Sequence, residues 1–158
     1  MKVQSFNKII IVSLCDKHSK KISKLLSEKL GVIFCDAKEL MEYELIDRKA
    51  MEQLCSTEYL QAAEKRVIKH ISSFENIVVY ISYDYFAHHY ELLKEKALTI
   101  FLSFSRAFAK ENSDALSIIS FQSRTKRLEE LADLSVNIKK TEEEFVCNKI
   151  IDQIGGLL

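Results

Sequence analysis

Three short apolar runs rich in branched residues constrain this chain more than any other feature. Lys8–Leu14 (KIIIVSL), Ile77–Ser82 (IVVYIS) and Leu98–Phe104 (LTIFLSF) carry almost no alternation of polar and apolar positions. A strand that is apolar on both sides is buried on both sides, which is the condition of a strand inside a parallel sheet. Val32–Phe34 and Leu134–Ile138 read as two further short strands. Between the runs the apolar spacing changes to that of helices. Ile22, Leu25, Leu26 and Leu30 fall on one helical face, and Gly31 follows as a C-cap. Leu60, Ala63, Val67 and Ile71 set a helix over Thr57–Ser73, and Ala37–Leu54 reads as a helix broken near Ile46–Asp47. His88–Lys96 reads as a helix, as does a segment ending near Leu131, and Thr141 with Glu144 forms a capping box opening a final helix to about Ile154. Strands alternating with helices predict a three-layer α/β sandwich with a parallel sheet. The 158 residues suit a single domain spanning residues 1–158.

Charge and rare residues narrow the function. Lys+Arg and Asp+Glu are both 23, so no global positive field exists to hold nucleic acid or an anionic membrane, and neither is expected as a partner. The chain has no Pro and only three Gly, at positions 31, 155 and 156. A phosphate-cradling loop between a strand and a helix needs at least two Gly a few residues apart, so no intact one is present. Residues 1–12 lack the long apolar core of a signal peptide, and a cytoplasmic location is the expectation. Cys15, Cys35, Cys55 and Cys147 are too dispersed for paired metal-ligand spacing, and reduced, partly buried thiols are expected with no metal. Tyr80, Tyr83, Tyr85, Phe86, His88 and Tyr90 cluster after the third strand, where open α/β sheets place ligands. They form either an aromatic pocket or partner patch, or rings packed into otherwise vacant volume. Asp84 and His88 have the i, i+4 spacing of an acid/base dyad or of a surface hydrogen bond, and the adjacent His88 and His89 are expected on different helix faces.

Three segments carry a resemblance. Lys24–Asp36 (KLLSEKLGVIFCD), Ser56–Glu64 (STEYLQAAE) and Arg124–Asp133 (RTKRLEELAD) stand in the order and spacing of the motifs GKLLAxxLGxxFxD, GExxFRxxE and RxPLYxEVAD. In this the chain resembles the shikimate kinases, of the nucleoside-monophosphate-kinase-like group of P-loop folds. The resemblance runs from about residue 6 to residue 155. It implies a five-stranded parallel sheet of order 2-3-1-4-5, with Lys8–Leu14 central and Val32–Phe34 at an edge. It also implies a site for ATP, Mg2+ and a shikimate-type acceptor, whose residues are extensively changed here. Ser13 and His18 stand at the two glycines of the phosphate loop, Ser19 at its Lys, and Lys20 at the Ser or Thr that binds Mg2+. Asp36 stands at the first Asp of the Asp-x-Asp pair and Lys38 at the second. Gln61 replaces one of two arginines that grip the acceptor's carboxylate, and Arg124 stands at the other. Ser82-Tyr83-Asp84 replaces a Gly-Gly-Gly turn, and no lid arginine is recognisable between Ala109 and Ile119.

The resulting expectation is a shikimate-kinase-like protein with a degraded phosphate loop: a non-catalytic binding or regulatory relative with a protein partner or a small anionic ligand, and no cofactor. Its alternative is an active small-molecule kinase with a remodelled site, in which Lys17 or Lys20 replaces the missing Lys, Asp36 carries Mg2+, and ATP is the phosphate donor. Asp36, Arg124, Lys17, Ser19 and Lys20 are the residual ligand-binding candidates. Arg124 is expected to be recruited into a partly desolvated salt bridge with a local carboxylate such as Asp36 or Asp84.

Overall fold

Strand β1 (Lys8–Ser13) is buried along its whole length, and its side chains divide by alternation between two cores. In the computed structural model, which describes residues 7–44, 57–108, 118–138 and 143–157, Ile9 and Ile11 enter one core and Ile10 and Val12 the other. Helix α1 (Asp16–Leu30) follows, then β2 (Ile33–Asp36), α2 (Ala37–Glu44) and α3 (Thr57–Ser72). The chain continues through β3 (Ile77–Ser82), the short helices α4 (Tyr83–His88) and α5 (Tyr90–Leu93), β4 (Ala97–Phe104), α6 (Ile118–Leu131), β5 (Leu134–Ile138) and α7 (Glu143–Leu157). The sheet has five strands in the order β2-β3-β1-β4-β5, and every pairing is parallel. The first core joins one face of the sheet to α1 and α7 through Ile22, Leu26, Val146 and Ile150. The second joins the other face to α2 and α3, with Met41, Val67, Ile68 and Ile71 prominent. Full burial of each such aliphatic side chain stabilises the fold by about 1.5–3 kcal/mol.

Parallel pairing aligns the C-terminal ends of all five strands along one edge, so the segments leaving β1, β2 and β3 gather there. Asp36 pairs with Tyr80 across β2 and β3, and Tyr80 with Ile11 across β3 and β1.

Two elements depart from the periodicity. Strand β2 begins at Ile33 rather than Val32, because the Val32 amide closes α1 by donating to the Ser27 carbonyl at 3.0 Å. Gly31, in the left-handed region at φ 69°, donates to Glu28 at 3.2 Å, completing a two-bond helix cap. The helix expected over His88–Lys96 begins at Tyr83 and is interrupted at His89 (φ −118°, ψ 20°), whose ring reaches Glu64 of α3 at 2.7 Å. The rings of His88 and His89 lie 4.9 Å apart at this break. The break expected near Ile46–Asp47, residues 109–117, where no lid arginine is recognisable, and Thr141 of the capping box lie outside the described residues.

Cys15 and Cys147 are buried and Cys35 half-buried, all as free thiols. Burial pushes each of the three up to about 11, which leaves them protonated at neutral pH. Among the described residues no helix is long and apolar enough to cross a membrane.

Candidate functional site

Only Leu14 and Cys15 separate the end of β1 from the start of α1. Three residues that the phosphate-loop pattern leaves as loop, Asp16, Lys17 and His18, form the first turn of the helix instead. Local chemistry favours that start. Glycine, the residue that would keep this stretch open, is absent. Asp16 places a carboxylate in the first turn, where the helix dipole favours negative charge. The Ser13 hydroxyl accepts the Cys15 amide at 3.0 Å, and the Ser19 amide donates back to the Cys15 carbonyl at 3.2 Å.

The side chains around this junction bond to one another. The hydroxyls of Ser13 and Ser19, both buried, share a hydrogen bond, and the Tyr80 hydroxyl donates to Asp16. Burial, followed by the charge of Asp16, raises the Tyr80 phenol far above its ordinary value of 10.0. The ring of His18 packs edge-on against Phe108 at 4.9 Å, and Phe104 stacks on Phe108 at 5.0 Å. Position 18, a glycine position in the motif, therefore carries a side chain that is part of an aromatic contact.

Asp36 is the most constrained of the candidates. Its side chain is 3% exposed, Oδ2 lies 3.0 Å from the Lys20 ammonium, and Oδ1 accepts the Lys38 amide at 3.0 Å, capping α2. Burial lowers the affinity of Lys20 for its proton, but the hydrogen bond and charge of Asp36 outweigh burial and leave the ammonium above its ordinary range. Lys38 itself points to solvent, as do Lys17, Lys21 and Lys24.

Arg124 takes no part in this group. Its guanidinium lies over the Tyr83 ring, 4.8 Å from the centroid, with Asp84 Oδ1 at 3.7 Å. Of the two carboxylates expected for it, Asp84 is the one it meets. The expected desolvation is not found, because the Asp84 side chain is 78% exposed, so the pair belongs with solvent-screened pairs worth about 0–1 kcal/mol. Among the described residues no hydrogen bond joins Asp84 to His88. The aromatic cluster is chiefly packing: Tyr80 and Phe86 are buried, and Tyr83, Tyr85 and Tyr90 lie against the second core.

The structure thus brings Ser19, Lys20 and Asp36 to one corner of the sheet edge, sets Arg124 on Tyr83, and leaves Lys17 in solvent. Sequence reasoning missed Asp16 as a site residue. Its signal was available, since an acid immediately before a basic helix start competes with any incoming anion.

No family model matches the chain, and no curated protein matches it by sequence. Solved structures do match. Shikimate kinase from Aquifex aeolicus vf5 superposes with a TM-score of 0.71 at 18% identity, over 94% of this chain and 96% of that one. Shikimate kinase from Acinetobacter baumannii, solved in complex with shikimate, gives 0.68 at 14% identity over 97% and 95%. Dephospho-CoA kinase from Campylobacter jejuni gives 0.61 at 15% identity over 96% and 99%. The chain has the fold of the shikimate kinases and related P-loop kinases, with the sheet order that their resemblance implied.

At this junction the chain is helical from Asp16, the Ser13 and Ser19 hydroxyls are bonded to each other, and Lys20 stands on Asp36 at the end of β2.

Proposed function

We propose that this chain is a non-catalytic relative of the shikimate kinases, a cytoplasmic single domain that acts by binding a protein partner or a small anionic ligand. The observation that carries this reading is the start of α1 at Asp16, with only two residues between it and the end of β1. A phosphate loop holds its anion with several backbone amides directed at one point, and a chain wound into helix three residues earlier cannot direct them so. The Asp16 carboxylate adds repulsion at the place where phosphate would enter. Arg124, gripping Tyr83 and Asp84, and Gln61, exposed on α3, supply no matched pair of guanidinium groups for a carboxylate. Incubation with ATP, Mg2+ and shikimate is expected to release no ADP above the protein-free rate. Phosphorylated acceptor formed in proportion to protein concentration would overturn the proposal.

A further inference from the structure

A lysine placed among carboxylates gives the sheet edge its second property. Lys20 projects from the second turn of α1 to Asp36 at 3.0 Å, and Asp16 and Glu39 lie near enough to act on its charge. Asp16 is four residues before it on the same helix, Asp36 ends β2, and Glu39 is in the first turn of α2. Of these, only Asp36 is buried, and a buried carboxylate is tolerated only when an opposite charge or donors satisfy it. We infer that Lys20 is a tethered counter-cation: its ammonium fills the place between α1, β2 and α2 that a free divalent cation would otherwise take, and so closes that place to metal ions.

Several observations fit together on this point. The remaining oxygen of Asp36 accepts an amide, so the carboxylate is fixed in direction. The Ser13 and Ser19 hydroxyls nearby are turned to each other. A tethered cation also needs no loading step, so this edge is complete as soon as the chain folds. The inference rests on the non-catalytic reading but concerns only charge at the site, and its test contains no nucleotide.

Lys20→Ser removes the ammonium and its stem and leaves a short hydroxyl on α1 facing Asp36 across the vacated space. In metal-free buffer this variant is expected to melt several degrees below the wild type, because Asp36 is left buried without its counter-charge. Mn2+ at about 10 mM, acting at a Kd near 1 mM, is expected to recover part of that loss and to lose its free-ion resonance signal to the protein. The wild type is expected to show neither effect, and the Lys20→Ser, Asp36→Asn double variant to take up no Mn2+. Mn2+ uptake by the wild type would overturn the inference. So would a Lys20→Ser variant as stable as the wild type, or one whose loss Mn2+ leaves untouched, since Lys20–Asp36 would then be an ordinary ion pair. Should Lys20→Ser not fold, Lys20→Gln keeps more of the packing stem and carries the same expectations. Failure here leaves the ADP-release result standing, and ADP release would leave the Mn2+ result standing.

Discussion

Tyr80 concentrates at one residue what the whole sheet edge does. Its ring is buried in the first core while its hydroxyl emerges at the strand ends to donate to Asp16, so a packing residue also fixes the start of α1. A phenol held neutral in the native state and free to ionise in the unfolded chain makes the native state the better proton binder above pH 10, and stability falls as pH rises through that range. Tyr80→Phe is therefore expected to cost about 1–2 kcal/mol near neutrality through the lost bond to a carboxylate. The same variant should show a shallower loss of stability between neutral pH and pH 11 than the wild type, measured by urea unfolding at each pH. A steeper alkaline loss would place the effect elsewhere. Little of this was legible in the sequence, where Tyr80 was one aromatic among several and Asp16 one acid among 23 acidic residues. A contact spanning 64 positions leaves no periodic trace.

At the scale of elements, local rules succeeded where the chain's own neighbours decide the outcome. The runs at β3 and β5 end where the apolar pattern ends, and Gly31 closes α1 because the turn there needs a left-handed residue. A methyl group at position 31 would meet nothing within 4 Å, so the cost of changing it is conformational alone. Gly31→Ala is expected to lower stability by about 1–2 kcal/mol with no change in the fold, read as a shifted urea midpoint at constant slope. A neutral effect would show that the cap contributes nothing. The rules failed where distant contacts intervene. His89 breaks the helix after β3 because Glu64, 25 residues earlier, holds its ring, and hydrophobic spacing cannot report such a pull. The candidate site was legible by subtraction, through missing glycines and a missing lysine. The arrangement present, a helix starting at Asp16 with a lysine on Asp36, required the three-dimensional placement of β2 beside β3.

For the whole molecule, a kinase-like fold stands together with side chains that satisfy one another at the C-terminal edge of the sheet. Burial on both faces of β1 and β3 depends only on apolar identity, so the fold does not depend on the polar residues at the strand ends. Charge balance agrees, since 23 basic and 23 acidic residues provide no general attraction for a polyanion. The melting temperature of the intact chain with and without about 1 mM ATP and excess Mg2+ measures whether the helix start at Asp16 receives them. A ligand present at its own Kd adds only about 0.4 kcal/mol, which for a chain of this size is a shift of about 1–2 °C. The expected shift is no larger than that and is unchanged when Mg2+ is replaced by a chelator; a Mg2+-dependent rise of several degrees would overturn the non-catalytic reading.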